Sequence, residues 1–505
     1  MGEKDAYRKG PFGWEEVALL AVLVLLGRVP SLFFYHSDWD EAALMAESWA
    51  MTRGQVLYKD IVQIHPPLNF AILVPFFHIF RPEWVPLAIK TMNLLLVFLG
   101  ALLIAKIAFA WLSSRSLGFV GGSIFIFYCS RWWALAPYGE FYTIFPVLLS
   151  VWLLYFAKNP KMPAYYVIGF LWGVACFFKQ IAIFDAIGLY LGYLWLARTS
   201  KGFKTTATGL IALGFASVAA LLSIYFLHHG ALLEAWTSIF VRTMFYASPG
   251  GEMWSSLSWL IRGTVRHLGL SLLAFPAGAY LLFSRRNQPG ADKPSDTFFF
   301  LILLTWFCTD LVGLCALGRF YPHYLLQLAP AASLLPLFIL NRTVGRVRKA
   351  MWMSFVLAIT SFLCINFLAG MWRLAEANWV PAQIKQSTAV SDFIKRHTRE
   401  DDRIFLYKTD NLDIFFLSQR LSNNGVYMFD AMVADHMHDR AEQERKRREF
   451  LARLPEIIVV GSNDAKSPDI SEQFQTPDHF FEDILKKYYT VGETVSDLDL
   501  FVLRR

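Results

Sequence analysis

Residues 37–70 read SDWDEAALMAESWAMTRGQVLYKDIVQIHPPLNF. The stretch opens with Asp38, Asp40 and Glu41, just where an apolar helix expected over 14–35 ends. Ala42, Ala43, Met45, Ala46, Trp49 and Ala50 then line up at helical spacing, which predicts a short amphipathic helix over Glu41–Arg53 lying on a membrane surface. Gly54 ends it, an extended stretch runs to Asp60, and His65-Pro66-Pro67 turns the chain back toward the bilayer. Carboxylates this close to hydrocarbon are pushed toward their neutral form unless a cation or donor compensates, the setting in which an acid becomes a usable general base. The plainer reading makes Asp40 the N-cap of the helix that follows, because Asp caps well and carboxylates favour helix N-termini.

Outward from this loop the composition is lopsided. Of the 505 residues 55% are hydrophobic and only 17% charged, against about 25% charged in soluble domains. Roughly half of the charged residues follow residue 373. A soluble enzyme, a disordered chain and a small disulfide scaffold are excluded. What remains is a polytopic α-helical membrane region, 1–372, followed by a soluble α/β domain, 373–505. The net charge of +7 reports membrane topology before it reports any nucleic-acid partner, and none is expected. Cys129, Cys176, Cys308, Cys315 and Cys364 all sit in apolar runs without metal-ligand spacing and read as small core residues. Lys4, Arg8 and Lys9 precede the first apolar run, but no small-residue cleavage site follows, so this helix is expected to be retained.

Apolar runs at 14–35, 85–111, 118–133, 141–157, 164–182, 183–197, 206–228, 266–284, 296–317, 323–341 and 350–372 predict about 11 transmembrane helices. Pro66–Phe80 is short and proline-broken and is expected to stay at the interface. With a cytoplasmic N-terminus, the basic loop residues Arg115, Lys158, Lys161, Arg198, Lys201, Lys204, Arg285, Arg286, Lys293, Arg342, Arg346, Arg348 and Lys349 all fall inside. The loops 36–84, 132–140, 179–180, 229–265 and 318–323, and the C-terminal domain, then lie outside. The loop 229–265, with Trp236, Tyr246, Trp254 and Trp259, reads as an interfacial anchor or a lid.

Asp40-Glu41, an Ala-rich helix, Gly54, Tyr58, Asp60 and Pro66-Pro67-Leu68 together resemble the first outer loop of the polyprenyl-phosphate-sugar-dependent glycosyltransferases of the GT-C superfamily. Further matches keep the order: Lys90; Glu140 in GEFYTIFPVLLSVWLL; Lys179 closing GFLWGVACFFKQIAIF; and Arg319, Tyr321, His323 and Tyr324 in GRFYPHYLLQLAPAASLLP. The likeness covers most of residues 10–345. One departure stands out: aminoarabinose transferases of this kind carry Lys before Pro-Pro, where this chain has His65.

The resemblance implies an enzyme that moves a sugar from a polyprenyl-phosphate donor to a lipid, glycan or protein hydroxyl on the extracytoplasmic side of a bacterial inner membrane. Asp40 is then the base and Glu41 its neighbour in acceptor or loop positioning. Lys179, Arg319, His323 and His65 are candidates for the donor phosphate, with Arg131 secondary, and Glu140, Tyr58, Asp60 and Tyr321 for the acceptor or second-loop site. Structural alternatives stand beside these: Lys179 as a snorkelling helix end, Arg319 paired with Asp310, Glu140 paired with Arg131. Asp185 and Asp310 are intramembrane acids with no assigned place. No cofactor is expected; a divalent metal bridging Asp40 and Glu140 lacks a supporting His/Cys cluster. The alternatives are a secondary transporter, against which the absence of an internal repeat speaks, and a non-catalytic lipid-binding or assembly protein. In the C-terminal domain, strands are expected at Ile404–Tyr407, Glu456–Gly461 and Asp499–Leu503, with a charged helix over 436–453.

Overall fold

The computed structural model describes residues 13–33, 39–157, 161–196, 201–246, 253–272, 276, 294–316, 321–343, 345–379, 382–428, 440–461 and 479–504. Helices dominate. In chain order they are α1 (Trp14–Phe33), α2 (Trp39–Thr52), the short α3 (Leu68–Ala71) and α4 (Val74–Ile79), α5 (Val85–Leu112) and α6 (Arg115–Cys129). Next come α7 (Gly139–Val151), ending in a wide π turn, then α8 (Met162–Phe178), α9 (Ala182–Leu196) and α10 (Lys201–His228). The short α11 (Leu232–Trp236) and α12 (Thr243–Tyr246) precede α13 (Met253–Leu272) and α14 (Pro294–Ala316). The last long helices are α15 (Ala329–Arg342) and α16 (Gly345–Glu376).

Among the described residues six helices are long and apolar enough to cross a membrane: Trp14–Phe33, Pro82–Leu112, Gly139–Phe156, Thr205–His228, Thr297–Ala316 and Ala350–Glu376. Arg115–Cys129, Met162–Phe178 and Ala182–Trp195 are apolar but shorter. Most of the expected spans fall on helices, with two differences: the run at 323–341 opens in a 3₁₀ turn, Pro322–Leu326, before α15 starts at Ala329, and the run at 266–284 meets only the end of α13, which starts at Met253, with 277–293 outside the described residues. The expected loop 229–265 is largely helical for the same reason. Leu68–Ile79 is too short to cross, at about 1.5 Å per residue against a core of about 30 Å.

The chain divides by its contacts into two compact units. The first comprises Met1–Leu32, Lys90–Leu222 and Gly251–Arg373; the second comprises Phe33–Ile89, Ser223–Gly250 and Leu374–Arg505. In this division the Asp-Glu loop and the segment from the last turns of α10 onward group with the C-terminal residues.

In the first unit the core is a continuous apolar mass. Leu20, Ile104, Phe125, Leu148, Trp306 and Phe338 are among its fully covered side chains. Helices that bury residues on one face and leave Leu213, Leu221, Leu357 and Leu368 exposed on another suit a lipid surround, where apolar exposure carries no penalty.

In the second unit α17 (Ala382–His397), α18 (Ile414–Ser418), α19 (Arg440–Ala452) and α20 (His479–Tyr488) accompany a four-stranded sheet. Its strands, β1 (Ile404–Tyr407), β2 (Ile457–Gly461), β3 (Tyr489–Val495) and β4 (Leu498–Leu503), run in the order β1-β2-β4-β3. β1 and β2 are parallel, with Ile404 opposite Ile457. β4 is antiparallel to both β2 and β3, with an irregularity between Val491 and Glu493. Phe405, Phe450, Ile458 and Phe481 form the core, and Val62 of the Asp-Glu loop is built into it.

That loop is fastened to the C-terminal residues by a backbone bond and a side-chain bond. Val62 N donates to Gly425 O at 3.0 Å, and Tyr427 Oη donates to Gln55 Oε1 at 2.7 Å. Gly425 has φ +73°, and a Cβ there would lie 1.7 Å from Asp60 O. A Gly425→Ala substitution meets both obstacles at once. It is expected to lower stability by at least about 2 kcal/mol, read as a drop in the thermal midpoint of the purified protein.

Candidate functional site

The Asp-Glu helix differs from its expected form. Every residue of α2 from Glu41 to Ala50 is buried, so it does not lie on a membrane surface with a wet face. Four alanines let neighbours approach from all sides, and the polar side chains find partners within the unit. Ser48 Oγ donates to Leu44 O at 2.6 Å, and Glu47 Oε2 accepts from Gln63 Nε2 at 2.7 Å. Asp40 is half-buried in the first turn, inside the helix, where the N-terminal peptide dipoles favour its charge. Glu41, beside it, is fully covered. Gly54, at φ +87°, takes the left-handed position that ends the helix, and Gln55 N reaches back to Ala50 O at 3.2 Å.

The His65 segment is held by a relay that reading along the chain misses, because its members are 16 residues apart. Gln63 Oε1 accepts from the backbone N–H of Ile64 at 2.7 Å and of His65 at 3.1 Å, which fixes the amide orientation. His65 Nδ1 lies 2.8 Å from the same oxygen and must therefore donate. Glu47, through Gln63, thus sets the proton on Nδ1 and the plane of the imidazole. Tyr58 has the left-handed backbone (φ 69°) rare for an aromatic residue. Its hydroxyl donates to His65 O at 2.6 Å, and its ring lies against Phe226 at 5.3 Å. Burial, and secondarily the Glu47 charge, push this phenol well above its ordinary range, so it remains a donor. Asp60 Oδ2 accepts from Val56 N at 2.8 Å. The bonds shown for Tyr58 and Asp60 therefore go to the loop itself.

The first unit carries a second cluster. Glu140 stands in the first turn of α7 and is wholly buried; Lys179 caps the end of α8. Lys179 Nζ lies 3.0 Å from Glu140 Oε1 and 4.7 Å from the centre of the Tyr324 ring. Glu140 thus pairs with Lys179, not Arg131. Arg131 Nη2 is 3.2 Å from His267 Nδ1. His323 is sandwiched between Tyr138, at 4.1 Å and 12°, and Tyr321, at 5.7 Å and 3°, with Tyr324 edge-on at 4.7 Å. The 3₁₀ turn Pro322–Leu326 sets this spacing. Lys179, Glu140, Tyr321 and His323 are therefore brought together around Tyr324 and Tyr138. Arg319 lies outside the described residues, as does any pairing with Asp310.

A further residue went unread in the sequence. Arg28, buried in α1, donates to three carbonyls: Cys129 O at 2.7 Å, Ala134 O at 2.5 Å and Leu135 O at 3.0 Å. It clamps the turn that leads to Glu140. Its signal was available as a lone Arg within an apolar run. Among the described residues no group of three or more His, Cys, Asp or Glu side chains is placed to hold a metal ion.

No protein-family model matches the chain, and no curated protein matches its sequence. Solved structures do match it. ArnT from Cupriavidus metallidurans bound to undecaprenyl phosphate superposes with a TM-score of 0.62 at 12% identity, over 96% of this chain and 97% of that one. The apo form gives 0.60 at 13%. The archaeal oligosaccharyltransferase AglB from Archaeoglobus fulgidus, in complex with an inhibitory peptide and a dolichol-phosphate, gives 0.53 at 8%, over 97% of this chain and 74% of that one. Both are GT-C glycosyltransferases, and likeness over almost the whole length establishes the architecture: this chain has the GT-C fold.

Proposed function

We propose that the protein is a membrane glycosyltransferase that moves a sugar from a polyprenyl-phosphate carrier to an acceptor hydroxyl. The observation that carries this is the fold shared over 96% of the chain with an ArnT bound to undecaprenyl phosphate. The residues supply the required chemistry. An acceptor hydroxyl gives its proton to the Asp40 carboxylate, and its oxygen attacks the anomeric carbon. The bond from that carbon to the phosphate oxygen breaks, and polyprenyl monophosphate leaves with the bonding pair. One displacement inverts the anomeric centre and needs one base. Glu41 positions the acceptor loop. The leaving phosphate needs cations, and the roles fall to Lys179, His323 and His65, with Arg319 as the fork-shaped donor. Glu140 and Tyr321 serve the acceptor or second-loop site, with Tyr58 and Asp60 shaping the first loop.

The distribution of loop charge supports an N-terminus in the cytoplasm and chemistry on the extracytoplasmic side of a bacterial inner membrane. The acceptor is a lipid, glycan or protein hydroxyl, and the sugar a hexose or pentose.

Proteoliposomes holding the purified protein test this directly. Added polyprenyl-phosphate sugar is expected to release free polyprenyl monophosphate in an acceptor-dependent manner. Failure across a panel of hexosyl and pentosyl donors with membrane extract as acceptor would sink the proposal. The transfer is further expected to be metal-independent: excess chelator should leave the initial rate within about twofold, whereas a metal bridging the phosphate would be worth several kcal/mol.

A further inference from the structure

The residues Val62–His65 are tied down one after another. Val62 N donates to Gly425 O, Ile64 N and His65 N both donate to Gln63 Oε1, and His65 O accepts from Tyr58 Oη. These bonds settle where the backbone of His65 stands, but not which way its ring turns. The ring is settled by one further bond, from Nδ1 to Gln63 Oε1 at 2.8 Å. Gln63 is in turn held from behind, where its Nε2 donates to Glu47 Oε2 at 2.7 Å. Both Glu47 and Gln63 are buried, so water does not compete for these bonds. The residue types are particular. One end of side chain 63 accepts from the N–H groups of Ile64, His65 and the imidazole, and the other end donates to Glu47. A carboxylate could do only the first and an ammonium only the second; a carboxamide does both.

We propose that Glu47 and Gln63 are positioning residues for the donor phosphate, acting through His65. With Nδ1 committed to Gln63, any polar contact of the ring with a phosphate oxygen is made through Nε2. The amide passes on orientation but not a proton, because its oxygen is too weak a base to take the one on Nδ1. The Glu47 charge acts by polarising the amide, which strengthens Gln63 Oε1 as an acceptor. A lysine at position 65 would need no such frame, since its ammonium turns freely on a long stem. An imidazole on its short stem does need one, because its N–H groups point along fixed lines in the ring plane. The effect on phosphate binding rests on the proposed function; the place of the Nδ1 proton does not.

The test is a double-mutant cycle on full-length protein in lipid nanodiscs: wild type, Gln63→Met, His65→Ala and the two combined. Titration with undecaprenyl monophosphate reports affinity. Nitrogen-15 spectra of histidine-labelled protein, at about pH 8 and so above the ordinary imidazole range, report which ring nitrogens carry protons. The signal lost in His65→Ala identifies His65. Gln63→Met is expected to weaken binding about tenfold when His65 is present, and to change it by less than about twofold once His65 is Ala. Nδ1 of His65 is expected to be protonated in wild type and bare in Gln63→Met. Equal weakening in both backgrounds would make Gln63 a merely structural residue, and wild-type affinity in either single variant would end the positioning role. A bare Nδ1 in wild type, or one still protonated in Gln63→Met, would overturn the assignment of the ring to Gln63. If Gln63→Met does not insert, Glu47→Gln carries the test. It keeps an acceptor for Gln63 and removes only the charge, so a loss of about threefold that depends on His65 is expected, and wild-type affinity overturns the proposal. Should wild type fail to bind the lipid phosphate, the lipid-carrier assignment falls, while the spectra still decide whether Gln63 sets the ring.

Discussion

Asp40→Asn is expected to lower the rate of sugar transfer by about 10²–10⁴-fold, the usual contribution of a positioned general base. The substitution keeps shape and volume and removes only the ability to take a proton. It also separates the two roles open to Asp40. As a first-turn helix residue Asp40 would lose only its charge–dipole interaction, about 0.3–1 kcal/mol, so a purely structural Asp40 would tolerate the change. As a base, Asp40 cannot be replaced by a carboxamide. The surroundings favour a clean result: Asp40 is half-exposed in the first turn, while the packed part of α2 runs from Glu41 to Ala50. The thermal midpoint should therefore stay near wild type while kcat falls and KM for the donor changes little. Initial rates of polyprenyl monophosphate release, with a melting curve on the same sample, measure both.

Lys179 gives the second large effect, and here structure and chemistry must be separated. Lys179→Ala leaves the wholly buried Glu140 without its cation. Breaking a buried pair in this way costs about 3–5 kcal/mol, so loss of activity in that variant alone says nothing about phosphate binding. The double variant Lys179→Met with Glu140→Leu removes both charges and leaves no stranded acid. Replacing a buried pair by apolar residues of similar volume is often neutral or stabilising. The double variant is expected to regain stability to within about 1 kcal/mol of wild type while transfer stays down by at least about 10²-fold. Recovery of transfer along with stability would make Lys179 a structural residue and leave the donor phosphate to other cations.

Much of this was legible in the sequence, for physical reasons that can be named. The order of apolar runs and loop charges reflects what a bilayer demands of every span, so the helices fall close to where hydropathy puts them, α13 excepted. The strands Ile404–Tyr407, Ile457–Gly461 and Leu498–Leu503 were legible because they are short apolar runs that bury aliphatic or aromatic side chains. β3 was not: most of Tyr489–Val495 is exposed at the sheet edge and carries no inward pattern. Lys179 and Glu140 stood out separately as rare charges, but their pairing depends on how α7 and α8 pack, which spacing does not encode. The surface-helix expectation for α2 failed because alanine is ambiguous: it suits a wet interface and a tightly packed helix equally. The Glu47–Gln63–His65 relay and the Arg28 clamp join residues that only the fold brings together.

The central claim is a sugar transfer to an envelope acceptor, and it is most directly tested by mass spectrometry of envelope lipids, glycans and glycoproteins. Three otherwise identical cell populations serve: without the protein, with wild type, and with Asp40→Asn. The account predicts a single hexose or pentose increment on one acceptor class in the wild-type cells, absent from the other two. Identical profiles in all three, with wild type present in the membrane in folded form, would contradict it.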